Sequence, residues 1–285
     1  MNSSLSLMSL FATGAHRGNH KSTVNPRLSG LIHSVKDQIC FWDLTKVNLR
    51  LDKALLLMNK CGSKKQQIMI VGTSHHVKDV VQDFAKKFAS EEMPYVCNRW
   101  IGGTLTNRKT INISVTEIKK VESYEENERF YKSLSAGEKL QLREKKERGL
   151  RLFGGIRVMK SVKPGCLIIL DAANNRSAIK EAEKMNIPVI ILTNANITYL
   201  PNEKLNYIIP CNNNSIKTIN LIMETLVDSY NTGLKNFVEE VKPEKPQPKE
   251  GESNENRSDN RRDGRRDSRP NRGSGFGRNE QRTRA

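Results

Sequence analysis

The chain has 285 residues, and 48 Lys and Arg against 31 Asp and Glu give it a formal charge of +17. A chain of this length can bury roughly 75% of its unfolded surface, so neither disulfides nor a structural metal are needed for stability. Apolar residues make up only 36% of it, no apolar run reaches the ~18 residues of a membrane span, and a sequence pI near 9.7 points to a polyanionic partner.

The first 21 residues carry a short apolar patch with no basic residue before it and no cleavage site, which argues against a secretory signal. A mitochondrial presequence stays open, because Arg17 is the first basic residue and no acidic one precedes Asp37. His16 and His20 are four apart, but Gly14 and Gly18 favour a loop over a metal-binding helical face. QIMIVG (67–72) reads as a strand, followed by a helix whose Val77, Val80, Val81, Phe84 and Phe88 fall on one face. In the turn between them, Gly72, Thr73 and Ser74 either donate to a phosphate or cap the helix. With one glycine and no Gly-Lys-Ser/Thr, the phosphate signal is weak. His75 and His76 are adjacent and diverge by about 100° on a helix, so they cannot chelate one ion together.

A short strand, PYVC, follows Pro94, and residues 93–111 read MPYVCNRWIGGTLTNRKTI. Arg99 beside Trp100, then Gly102 and Gly103, then Thr104, Thr106, Asn107, Arg108 and Lys109 make an RNA contact set of cation, aromatic ring and amide or hydroxyl donors. Equally, Trp100 can be a core anchor and the glycines a tight turn, and both readings can hold together. Residues 107–153 are dense in Lys, Glu and Arg, with a break at SLSAGE (133–138) that reads as a helix end and a capped restart. An antiparallel helical hairpin follows, its seam built from Ile118, Val121, Leu134, Leu140, Leu142 and Leu150; such an insertion is a docking device or else a plain surface excursion.

GCLIILDA (165–172) is a second strand, SAIKEAEKMN a helix, PVIILTN (188–194) a strand, YIIP (207–210) a strand, and SIKTINLIMETLVDSYNTGLKNF a closing helix. Strands alternating with helices predict an α/β fold with a doubly wound parallel sheet. Asp171 ends its strand where an acidic catalyst or ribose ligand sits in enzymes, yet no second carboxylate or nucleophile is close in sequence, and capping the next helix is the simpler use. From residue 242 onward Phe276 is the one large hydrophobe in an Arg-rich, Pro-, Gly- and Ser-bearing stretch, which predicts disorder. The expected organisation is therefore a core of 1–106 and 154–241, a hairpin of 107–153 and a tail of 242–285. Cys40, Cys61, Cys97, Cys166 and Cys211 are an odd number, widely spaced, so they read as free thiols in a reducing compartment.

NRWIGGTLTNRKTI resembles the hallmark segment of the S-two family of small-subunit ribosomal proteins, bacterial and organellar type. Residues 164–194 resemble that family's other characteristic block, with Pro164, Asp171, Ala178, Ile179, Glu181, Ala182, Ile187 and Pro188 in place. Gly14-Ala15-His16, Asn25-Pro26, the IVGT turn, Gly154-Gly155-Ile156, and Pro210 with Asn212 follow in the same order. The likeness spans about residues 8 to 230.

The resemblance implies a flavodoxin- or Rossmann-like domain with a protruding coiled coil. It further implies no catalytic activity, and partners in small-subunit rRNA and neighbouring small-subunit proteins. Carried over by position, Arg17, Lys21, Arg27, Arg99, Trp100, Asn107, Arg108 and Lys109 become the rRNA-facing or docking residues. Where the family carries HFGHQ this chain has His16-Arg17-Gly18-Asn19-His20, and asparagines at 194, 196, 212, 213 and 214 stand where acidic residues are usual. Neither a metal nor a cofactor is expected. The competing class is a sugar-phosphate or nucleotide enzyme sharing the sheet, which would need a phosphate loop and a positioned acid and base. A bacterial cytoplasmic ribosome is the expected setting, an organellar one the alternative.

Overall fold

Ahead of the first anticipated strand, the chain builds a small sheet of its own. The computed structural model describes residues 5–89, 92–161, 163–197, 199 and 205–236. Helix α1 (Leu7–Ala12) leads into β1 (Arg17–His20), β2 (Ile32–Lys36) and β3 (Ile39–Trp42), paired antiparallel in the order β1-β3-β2. Asp37 and Gln38 both take positive φ, 50° and 63°, as a two-residue hairpin turn requires. The loop expected around His16 and His20 is thus largely strand. Gly14 and Gly18 argue against helix but carry no information about pairing, and at Gly18 a Cβ would stand 2.8 Å from the Cys40 carbonyl of the neighbouring strand.

Helix α2 (Leu44–Ser63) follows, capped by Asp43, whose Oδ1 accepts from the Thr45 N–H at 3.0 Å. Strands β4 (Ile68–Val71), β5 (Tyr95–Val96), β6 (Cys166–Ile169), β7 (Val189–Thr193) and β8 (Asn206–Pro210) form one parallel sheet in the order β5-β4-β6-β7-β8. Every residue of β4, β6 and β7 is buried, which is why these strands read as unbroken apolar runs. Between β4 and β5 runs α3 (Lys78–Lys86); between β5 and β6 lie α4 (Arg108–Glu126), α5 (Glu128–Ser133) and α6 (Ala136–Phe153); α7 (Arg176–Lys184) joins β6 to β7, and α8 (Ile216–Lys235) follows β8. The right-handed crossovers of α3 and α7 move in opposite directions along the sheet, so these helices cover opposite faces. Val77, Val80, Val81, Phe84 and Phe88 are all buried, although Phe88 lies past the end of α3. Among the described residues no helix is long and apolar enough to cross a membrane.

The insertion holds three helices where two were expected. Asn127 leaves helical geometry (φ −80°, ψ 87°) and its Oδ1 accepts from the Phe130 N–H at 3.3 Å, which ends α4 and starts α5. A capping box between Ser135 and Glu138 starts α6. Helices α4 and α6 pass each other antiparallel, tied by Lys145 to Glu117 at 3.5 Å and by Lys146 to Glu125. Ile118 fills the space that Gly149 leaves open. Ile118 and Val121 are buried as expected of a seam, but Leu140 is 57% exposed. Leu140 and Leu142 lie two residues, about 200°, apart on α6, so both cannot face α4. The tail read at 242–285 lies outside the described residues.

All five cysteines are free; Cys97 is half-buried and the other four are buried. Burial pushes the Cys61 thiol up to about 11 and Cys211 to about 12, and the thiolate is the reactive form. A maleimide at neutral pH is therefore expected to label Cys97 first in the folded protein and the others only on unfolding. Labelling of all five at one rate would contradict this packing.

Candidate nucleic-acid interface

The eight candidate residues fall into two groups. Arg17 on β1, Lys21 just after it and Arg27 in the following 3-10 turn are all exposed. Asn25 sets the path of that segment: its Oδ1 accepts from the Arg27 N–H (3.1 Å) and its Nδ2 donates to the Ile197 carbonyl (2.9 Å). The Lys21 N–H donates to the Gln38 carbonyl at 2.7 Å, which fixes the chain beside the β2–β3 turn. Three cations thus project from a segment whose backbone is held at several points.

The other five lie between β5 and the first turn of α4, where the insertion leaves the core. Arg99, Asn107 and Lys109 are exposed, whereas Trp100 is 8% exposed. The Trp100 Nε1 donates to Glu181 Oε1 at 3.0 Å, as does the Gly103 N–H at 2.9 Å. Glu181 Oε2 accepts from the Leu105 N–H at 3.0 Å and the Thr106 N–H at 3.4 Å. One carboxylate on α7 therefore gathers the whole loop, and Gly103, at φ 88°, supplies a conformation that residues with a Cβ avoid. Of the two uses open to Trp100, the ring takes the anchoring one. Its indole is drawn inward by Glu181 and is not presented as a stacking platform.

Arg108 is half-buried, and its Nη2 donates to the Met159 carbonyl at 3.2 Å. Burial lowers its pKa, though a guanidinium stays charged at any physiological pH. It ties the start of α4 to the returning chain. Around it, Asn98 Nδ2 donates to the Arg151 carbonyl (2.7 Å), Arg157 pairs with Glu122 (2.9 Å), and Gln67 Oε1 accepts from the N–H groups of Lys160 (2.9 Å) and Ser161 (3.1 Å). The insertion is thus stapled at its root, with Arg99 and Lys109 left facing water. Glu181 is the residue whose role sequence reasoning missed. It lies about 75 to 81 positions from its donors, and nothing local to either segment announces the pairing.

In this strand order ligands of α/β proteins sit at the carboxyl ends of the two strands where the winding reverses, here β4 and β6. The chain's own side chains span that crevice. Ser74 Oγ donates to Asp171 Oδ2, Asn174 Nδ2 donates to the same oxygen at 2.6 Å, and Asn175 Nδ2 donates to Thr73 Oγ1 at 3.0 Å. Neither cap expected here forms: Ser74 makes no side-chain cap bond, and Asp171 joins the two turns without capping α7. The Ser74 hydroxyl and the Asp171 carboxylate satisfy each other and the Thr73 hydroxyl accepts from Asn175, in place of bonds to a helix end. His75 and His76 are exposed, with His76 Nε2 3.1 Å from the Asn213 carbonyl. Among the described residues no three His, Cys, Asp or Glu side chains are grouped to hold a metal ion.

Comparisons with known proteins place this architecture. Similar chains include the small ribosomal subunit protein uS2 of Spiroplasma citri, 32% identical over 249 residues, covering 87% of this chain and 67% of that one. The uS2 proteins of Ureaplasma parvum serovar 3 and Ureaplasma urealyticum serovar 10 are 35% and 34% identical over 226 residues, 79% of this chain. The chain spans 62% of the length of each of these two Ureaplasma relatives. The family model described as ribosomal protein S2 matches residues 10–233, a stretch that takes in both sheets, the insertion and its root; the chain belongs to the ribosomal protein S2 family.

Proposed function

We propose that this protein is a structural constituent of the small ribosomal subunit that binds small-subunit rRNA and neighbouring ribosomal proteins in translation. Family membership makes it a structural protein and not an enzyme. The observation that carries the RNA-binding reading is the pairing of a hydrogen-bonded backbone with exposed cations that have no carboxylate partner among the described residues. Arg17, Lys21 and Arg27 stand on a pinned segment, and Arg99 and Lys109 flank a loop fixed by Glu181. A backbone pinned in advance spares the ordering of that segment on meeting phosphates, and each phosphate neutralised releases counterions. Asn107, Trp100 and Arg108 serve the same surface by holding the root, and the insertion serves as a docking arm. The Arg-rich tail adds non-specific contacts to RNA. The relatives named are bacterial, which favours the cytoplasmic ribosome of a bacterium as the setting.

Sucrose-gradient fractionation of host extracts tests this reading. The protein is expected to travel with small subunits at physiological salt and to leave them at high salt. A protein that stays at the top of the gradient at physiological salt overturns the assignment.

A further inference from the structure

Helix α2 packs one face against α8 and β8 and turns the other to solvent. At about 100° per residue the outer face takes in Lys46, Leu49, Lys53, Leu56 and Lys60, with Arg50 and Leu57 half-buried at its edge. Every one of them is a cation or a leucine. Leu49 is 59% exposed and Leu56 52%. These two leucines stand one heptad apart, as do the lysines at 46, 53 and 60, so both rows stay nearly aligned along the helix. Acidic side chains are kept off this face. Asp43 caps the helix and pairs with Lys46 at 3.5 Å, and Asp52, half-buried, lies about 100° round from Lys53. On the neighbouring α8 the acids are Glu224, which pairs with Lys87 at 3.9 Å, and Asp228. Lys53 and Lys60 are exposed and have no carboxylate partner among the described residues.

We propose that this outer face of α2 docks an acidic amphipathic helix of a neighbouring protein. The face and the chemistry of its occupant stand apart from the ribosomal reading, which enters only in saying where the neighbour is met. From Lys46 to Lys60 the face runs about 21 Å, or about four helical turns. A leucine row flanked by cations is one half of a heptad interface, in which apolar side chains form the seam and opposite charges beside it choose the partner. Leu49 and Leu56 supply the seam, Leu57 widens it, and Lys53 and Lys60 call for carboxylates opposite. An RNA strand suits this face less well. Backbone recognition uses cations together with amide or hydroxyl donors, and here the positions between the lysines are leucines, which a phosphate chain would leave against charge. A second copy of the chain is disfavoured by sign, because a two-fold pairing of the face with itself would set lysines against lysines. Charge and apolar spacing together therefore select an acidic helix as the occupant.

The test uses the full chain and a fluorescent peptide helix of about three heptads, with leucine at the two seam positions of each and glutamate on either side of them. Fluorescence anisotropy is expected to show saturable binding, and a peptide of the same composition with its leucines scattered round the helix should bind roughly tenfold or more weakly. The double variant Leu49→Ser, Leu56→Ser should lose a similar factor. Lys53→Glu with Lys60→Glu should lose the glutamate peptide and gain its lysine counterpart, an exchange that no loss of folding can imitate. All four side chains are exposed, so both doubles should melt like the wild type. The control Lys184→Glu, Lys217→Glu makes the same change of charge at exposed positions on α7 and α8 and should bind as the wild type does. No saturable binding, equal binding of the scattered peptide, or equal losses in the two charge-reversed doubles would overturn the proposal. A benzophenone carried on Leu56→Cys, in a Cys97→Ser background, then identifies the neighbour in purified small subunits. Attachment to an acidic helical segment of another protein is expected, and attachment to rRNA or to no protein would overturn the proposal. Absence of the chain from small subunits would sink the ribosomal reading alone, because the peptide result does not depend on it.

Discussion

Glu181→Ala is expected to unfold the protein at a distinctly lower temperature and to weaken its incorporation into small subunits. The carboxylate accepts from the Trp100 indole and from the Gly103, Leu105 and Thr106 backbone N–H groups. Trp100 and Leu105 are buried, so removing the acceptor leaves donors that water reaches poorly. Hydrogen bonds to a charged group are worth about 1.5–3 kcal/mol each, and orphaned donors add a desolvation penalty. Shared geometry keeps the bonds from adding in full, so a total near 3 kcal/mol is expected, or roughly 6–12 °C in melting temperature for a domain of this size. Glu181→Gln separates size from charge. The amide keeps one acceptor oxygen but turns an NH2 toward N–H donors, so its loss should be intermediate. Incorporation should fall further than the melting temperature alone explains, because Arg99 and Lys109 flank the loop that Glu181 holds. A Glu181→Ala protein that melts within about a degree of the wild type would show that the loop is held by packing and that the carboxylate is incidental.

The sheet was legible because its strands are buried on both faces. IMIV and CLII are apolar throughout and VIILT up to its last residue, and a parallel strand announces itself by that run and its length. The helix over 216–235 was legible for the complementary reason, a strong apolar face. The N-terminal sheet was not, since β1 and β2 are short, largely exposed strands rich in Gly, Asn, His and Lys, whose stability comes from pairing with β3. The same division runs through the interface. Basic residues announce a polyanion by composition alone, and the glycines at 102 and 103 announce a turn. Whether Trp100 faces in or out depended on a carboxylate 81 residues away, and the sorting of α4's acids toward α6 depended on a helix not yet folded beside it. Local sequence carries element type; the direction of a side chain is settled by what the fold brings opposite it.

Helices α2 and α8 show the same dependence in its sterically strictest form, and here a double-mutant cycle is decisive. They pack together more extensively than any other pair of elements, with Gly62 and Gly233 at the crossing. A Cβ on Gly62 would lie under 3.0 Å from the Tyr230 carbonyl, and one on Gly233 under 3.0 Å from the Asn59 carbonyl. Both obstacles are backbone, so neither yields by a rotamer change. Alanine would gain up to about 1 kcal/mol in helix propensity, yet the helices must separate, and overpacking of this kind costs typically 1–3 kcal/mol or more. Separation also disturbs Tyr230, fully buried, whose hydroxyl donates to the Gln66 carbonyl at 3.0 Å and whose ring meets Phe88 edge-on at 5.1 Å. Gly62→Ala and Gly233→Ala are each expected to destabilise the fold in urea by about 1–3 kcal/mol. Because the first displacement already makes room for the second methyl, the double variant should lose less than the sum, with a coupling of about 1 kcal/mol. Strict additivity would mean that each site relaxes on its own, and that α2 and α8 do not meet there as a single rigid contact.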